Sequence, residues 1–240
     1  MTDTATVRTV IGIIGNIISF CLFLSPIPTM KKILKQKAVQ EFKPDPYLAT
    51  VLNCAMWTFY GLPYVKEDSI LVSTINAIGL VIEFIYVAIC FIFSPNKKRS
   101  KIALVLAVEV LIMIAVVMIS MVLFSSPKTR ATFVGILCII LNILMYVSPL
   151  TVMKLVIKTK SVKYMPLMLS LANLANGIIW VIYALLRFDI NIVLPNGLGV
   201  ISGVIQIILY ATYYRTTRWD NDDEYHTANG SSEVQMASRV

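Results

Sequence analysis

Seven runs of apolar residues, each close to the length of a bilayer crossing, constrain this chain more than any other feature. They lie at roughly 8–29, 44–62, 69–93, 102–124, 131–153, 165–186 and 190–214. A helix needs about 20 mostly apolar residues to span a hydrocarbon core. The second and sixth runs are the least apolar, each with asparagine and with a proline near its start. Neighbouring helices satisfy such polar groups inside a bundle. Only 14% of residues are charged and mean hydropathy is +0.78, whereas a soluble domain keeps about a quarter of its residues charged. The expectation is an all-α membrane protein of seven transmembrane helices.

The basic residues are unevenly shared between the two ends of these helices. Fifteen follow the odd-numbered runs (Lys31 to Lys43, Lys97 to Lys101, Lys154 to Lys163, Arg215 and Arg218), and five lie at the other end. The positive-inside rule puts the richer end in the cytoplasm and the N-terminus outside. The net charge of +8 is therefore a topology signal, and no basic patch on a soluble face points to nucleic acid. Cys21, Cys54, Cys90 and Cys138 lie in apolar runs without CxxC spacing, and the single histidine, His226, lies in a polar tail. Buried free thiols are expected, with no metal site and no cofactor. The tail, residues 215–240, is expected to be disordered and cytosolic. Ser231 and Ser232 lie within it.

A shift of 123 residues superimposes the two ends of the chain. Residues 25–62 fall on 148–185 with 13 of 38 positions identical, among them Ser25/Ser148, Pro26/Pro149, Asn53/Asn176, Trp57/Trp180 and Tyr60/Tyr183. Apolar bias does not align Pro, Asn, Trp and Tyr together. After a three-residue shortening, Asn76-Ala-Ile-Gly79 matches Asn196-Gly-Leu-Gly199. Four crossings separate the start of one unit from the start of the next, so the units are parallel, a symmetry known among transporters. The expected organisation is a triple-helix bundle at 8–93, a linker helix at 101–124 and a second bundle at 130–214. The linker contains no Gly, Pro or Asn, which suits a lipid-facing helix, and its Glu109 is a cost that needs a partner, a protonated state or an oligomer contact.

The repeat also pairs the polar residues at membrane depth. Asn53, Asn176, Asn76 and Asn196 offer uncharged donors and acceptors suited to neighbouring hydroxyls. Trp57 and Trp180 stand four residues beyond Asn53 and Asn176, on the same helical face, where an indole can cover the C–H face of a pyranose. Singly, such residues serve as interhelical glue or interfacial anchors. Duplicated around one axis, they describe a neutral polyol site. Pro26, Pro46, Pro149 and Pro166 form four candidate hinges. Tyr60 and Asp189 could form a latch at the opposite end, unless Asp189 merely begins the last helix. No phosphate-binding loop, paired acid relay or catalytic constellation is present. Facilitated diffusion by alternating access is expected, and an enzyme is not. The rival readings are a seven-helix receptor and a PQ-loop-like carrier of another solute.

SPIPT, PYLATVLN, WTFYGLP, STINAIG, MYVSPLTVM, KTKSVKYMP and LPNGLG resemble the plant SWEET sugar facilitators over about residues 8–214. The resemblance implies two triple-helix bundles joined by a linker helix. It implies sugar contacts at Asn76, Asn196, Trp180 and Trp57, hinges at the four prolines, inner-gate side chains at Phe42 and Met165, and an outer gate of Tyr60 with Asp189. Leu22, Asn53, Met145 and Asn176 stand where sucrose carriers have smaller residues, so the likeness is to the hexose-preferring branch. Glucose-like monosaccharides are the implied substrates, with sucrose as the alternative. The plasma membrane is the expected location, with an endomembrane as the alternative. Lipids and a second or third copy of the chain are the expected partners.

Overall fold

The computed structural model describes residues 3–217 and 219, and the rest of the expected tail, including His226, Ser231 and Ser232, lies outside the described residues. The described residues form nine helices and no strand. These are α1 (Thr4–Phe23), α2 (Ile27–Gln36), α3 (Asp45–Tyr60), α4 (Ile70–Ile92), α5 (Asn96–Leu123), α6 (Pro127–Met145), α7 (Val147–Thr159), α8 (Leu167–Leu186) and α9 (Ile190–Tyr213). The pair α1–α2 is the first crossing and the pair α6–α7 the fifth, which makes seven.

Six of these crossings are long and apolar enough to span a membrane by length and composition. The seventh, α3, has 16 residues and reaches about 24 Å at 1.5 Å per residue. A helix this short serves because it is packed between neighbours: Tyr47, Leu48, Val51, Cys54, Met56, Trp57, Phe59 and Tyr60 are all buried. The first and fifth crossings continue beyond the apolar runs, to Gln36 and Thr159. Met30 and Ile33 in α2 and Val152 and Val156 in α7 are buried, so these extensions are held by packing despite their lysines. The linker α5 also starts earlier than its apolar run, at Asn96 after Pro95. Its first turns are fixed by polar contacts. Arg99 donates to the Phe91 and Ile92 carbonyls at the end of α4, and Lys101 pairs with Asp45.

The packing order follows the repeat. α4 lies between α1 and α3, and α9 lies between α6 and α8. The halves meet where α1 packs on α8 and α3 packs on α6. Exchanging the halves turns one of these contacts into the other, as a parallel duplication about an axis along the membrane normal requires. The ring α1–α4–α3–α6–α9–α8 is thereby closed, and α5 packs outside it against α3, α4 and α6. The repeat extends to the backbone: Lys37 and Lys160, 123 residues apart, both end their helices in the left-handed conformation, with φ of 51° and 54°.

The breaks within the first and fifth crossings come at Pro26 and shortly before Pro149. Proline lacks an N–H and crowds the carbonyl four residues back. The first helix breaks at residues 24–26 and its counterpart at Tyr146. Beside each break an aromatic ring rests on a glycine of the third helix. A Cβ on Gly79 would lie 2.3 Å from Phe23 Cζ, and one on Gly199 would lie 2.7 Å from the Tyr146 hydroxyl. A phenyl ring is a stiff obstacle, so Gly79→Ala is expected to cost about 1–3 kcal/mol through overpacking. The measurement is Tm in detergent, which should fall, and an unchanged Tm would contradict the close fit.

One expectation needs amending. Cys54, Cys90 and Cys138 are buried free thiols, but Cys21 is exposed on the outer side of α1. Apolar sequence around a residue shows that it lies within the membrane, not which way it faces. Glu109 is buried on the inner side of α5 with Ile102 and Val116, yet its Oε2 has no partner among the described residues.

Candidate functional site

The ring encloses a cavity of about 370 Å³, toward the small end of the roughly 300–1,000 Å³ common for small-molecule sites. The eight candidate substrate contacts (Asn53, Asn176, Asn76, Asn196, Trp57, Trp180, Leu22 and Met145) all line it. The linker α5 contributes nothing to its wall.

The asparagines form two pseudo-symmetric tiers. Asn76 Nδ2 donates to the Val72 carbonyl and Asn196 Nδ2 to the Ile192 carbonyl, both at 2.8 Å. Each side chain is thereby anchored four residues back on its own helix. One amide hydrogen and the amide oxygen remain for a ligand. Asn53 and Asn176 are held from across the ring. Ser19 Oγ donates to Asn176 Oδ1 at 2.6 Å, and Asn142 Nδ2 donates to Asn53 Oδ1 at 3.2 Å. Ser19 and Asn142 are themselves 123 residues apart, so one position of the repeat makes the same bond twice with different residues. Sequence reasoning missed both, because the repeat spacing pairs them but identity does not.

Ser19 also accepts a bond, since Trp180 Nε1–H donates to its Oγ at 3.1 Å. Ser19→Ala would leave that N–H and the Asn176 oxygen unpaired, and is expected to raise the substrate KM by about five- to tenfold. Ser19→Asn, copying the other half, should retain transport in the same assay. Equal loss in both variants would count against the bonding role.

The indoles also connect the cavity to the far end of the ring. Trp57 meets Tyr60 edge-on at 5.3 Å and 78°, and Trp180 meets Tyr183 at 5.2 Å and 73°. Tyr60 donates its hydroxyl to Asp189, at 2.7 Å from Oδ2 and 2.9 Å from Oδ1. Asp189 is buried, caps α9 by accepting from the Asn191 N–H at 3.1 Å, and lies 3.5 Å from Lys66 Nζ. Asp189 therefore both bonds Tyr60 across the two halves and begins the last helix. A second set of polar contacts lies beside the first. Arg8 donates to the Tyr183 and Asp68 carbonyls and stacks 4.0 Å from the Tyr183 ring centroid, while Asp68 pairs with Arg187. No motif marks Arg8 or Asp68 in the sequence.

At the lysine-rich end the halves separate. One apolar cluster, including Trp57, Tyr60, Val134, Trp180 and Tyr183, spans both halves at the latch end. Phe42 belongs to a cluster of the first half with Met30, Ile33 and Tyr47. Met165 belongs to one of the second half with Val152, Val156 and Val162. The two candidate inner-gate residues are buried apart, and neither lines the cavity. Of the four prolines, Pro26 and Pro46 line its lysine-rich part and Pro149 and Pro166 do not. Among the described residues no three His, Cys, Asp or Glu side chains come together as a metal site would need.

A pseudo-symmetric helical ring around an amide- and indole-lined cavity defines a membrane carrier of the kind built from parallel repeats. The family described as "Sugar efflux transporter for intercellular exchange" matches residues 9–98 and again residues 132–218. The chain belongs to that family, whose members are transporters and not enzymes. It is 60% identical to the bidirectional sugar transporter SWEET5 of Arabidopsis thaliana, over 93% of each chain. It is 53% identical to SWEET4 of the same plant, over 99% of this chain and 96% of that one. A solved structure of a eukaryotic SWEET transporter superposes with a TM-score of 0.85 at 38% identity, covering 88% of this chain and 99% of the other.

Proposed function

We propose that this chain is a bidirectional uniporter of monosaccharides such as glucose, working by alternating access. The observation that carries the reading is the pair of anchored amides, Asn76 and Asn196, facing one small cavity. Uncharged donors and acceptors beside indole faces suit a polyol, and no Lys, Arg or His lines the cavity to meet an anion or an amino-acid carboxylate. Relatives named bidirectional sugar transporters at 53–60% identity support the substrate class. The pocket side chains Leu22, Met145, Asn53 and Asn176 narrow the cavity, which favours one sugar ring over two. The closed latch together with separated apolar clusters at the other end suits one of the two states that alternating access requires. The prolines beside the helix breaks would let the halves rock, and Phe42 and Met165 would approach each other in the opposite state.

The lysine-rich end is taken as cytoplasmic, the plasma membrane as the location, and a dimer or trimer as the assembly. The test is uptake of radiolabelled glucose, fructose and sucrose into vesicles holding the reconstituted chain, with the proton gradient collapsed. Glucose should equilibrate undiminished, and sucrose should enter at least about tenfold more slowly. Loss of glucose exchange with the gradient would overturn the uniporter, and equal sucrose entry would overturn the monosaccharide preference. A flat result for all sugars together with ligand-dependent recruitment of a partner would favour the receptor reading.

A further inference from the structure

One polar group in the cavity has no place in the duplicated site. Glu83, on α4, lines the cavity. It stands seven residues beyond Asn76, two turns along the same helical face. That direction leads toward the lysine-rich end, where Ser25, Pro26, Pro46 and Tyr47 form the wall. The residue is 4% exposed, and its Oε2 has no hydrogen-bond partner among the described residues. A buried carboxyl oxygen without a protein partner is costly to keep. The repeat does not require it either. At the 120-residue offset that pairs Asn76 with Asn196, Glu83 corresponds to Gly203, whose missing Cβ leaves room for Leu174. The carboxyl therefore stands on one wall only, off the pseudo-axis.

We propose that Glu83 is a further sugar contact, forming a second polyol subsite between the central asparagines and the lysine-rich mouth. The inference rests on the sugar-carrier reading above. A carboxylate accepts from one or two adjacent hydroxyls, and a neutral carboxyl also donates. A ring leaving the Asn76–Asn196 tier for the lysine-rich side exchanges amide contacts for this one. The half of the carrier holding α4 thus grips the sugar along more of its path than the half holding α9.

The test pairs Glu83 variants with sugars lacking single hydroxyls, as in a double-mutant cycle. Glucose and its mono-deoxy analogues are compared by KM for entry from the lysine-rich face of oriented vesicles, in the unaltered chain, Glu83→Gln and Glu83→Ala. Removing the hydroxyl that Glu83 holds should raise KM about tenfold in the unaltered chain. That penalty should disappear in Glu83→Ala and persist in part in Glu83→Gln. Where a variant transports too slowly, the same cycle is read from sugar-induced changes in the fluorescence of Trp57 and Trp180 in detergent. Deoxy penalties identical in the unaltered chain and Glu83→Ala, by either reading, overturn the subsite. An unaltered chain that carries no glucose overturns the sugar-carrier reading instead, so the two failures are distinct.

Discussion

Asn76→Ala or Asn196→Ala is expected to lower glucose transport efficiency by roughly thirtyfold, and the double variant to abolish it. Each amide keeps one donor and its oxygen for the ligand after bonding its own helix at 2.8 Å. Two bonds to a sugar, each worth about 1 kcal/mol net, amount to about 2 kcal/mol, or roughly thirtyfold. The self-bond matters because it fixes the amide before the sugar arrives, so little rotamer freedom is lost on binding. The same bond predicts that Asn→Asp is no conservative change: a carboxylate cannot donate to the carbonyl four residues back. The measurement is KM and maximal rate in the vesicle assay, with Tm in detergent as the folding control. Wild-type transport in both single variants would remove the central tier from the site, whatever the relatives carry.

The repeat made much of this site legible, and the limits of its legibility are physical. Asn53, Trp57 and Tyr60 were readable because their copies are identical and lie one repeat away. Ser19 and Asn142 were not, because identity cannot pair a hydroxyl with an amide, although both donate to the same asparagine position. Seven crossings followed from apolar runs, yet the lengths did not. α3 spans with 16 residues because its neighbours, not lipid, cover most of it, and packing is invisible to a window of hydropathy. Arg8 acts through backbone carbonyls of Tyr183 and Asp68, partners that carry no side-chain signature. Glu83 was visible only as an acid in a helix, and its facing the cavity required the ring to be closed.

Asp189→Ala is expected to have the other large effect, opening the latch rather than emptying the site. Asp189 is 3% exposed and holds Tyr60, the first turn of α9 and Lys66 together. Hydrogen bonds to a charged group contribute about 1.5–3 kcal/mol each, and an N-cap about 1 kcal/mol. Even partial, non-additive loss amounts to about 3 kcal/mol against the latch-closed state, a population shift of roughly a hundredfold. The carrier would then rest open at that end, and turnover would fall because reclosing becomes the uphill step. A cysteine at Ile192, on the cavity wall below the latch, in a chain with its other cysteines replaced, reports this directly. Its labelling by an impermeant thiol reagent from the latch side should accelerate about a hundredfold in Asp189→Ala. Asp189→Asn should give a smaller increase, since an amide still caps α9 and accepts from Tyr60 but no longer faces Lys66 with a charge. Lys66→Ala should change it least, because Lys66 is 32% exposed and a screened ion pair contributes little. That ranking separates a latch from a fold defect: damage to folding would lower transport and Tm together without ordering the three labelling rates. Equal labelling in all variants would mean that the apolar cluster of both halves, and not Asp189, keeps that end shut.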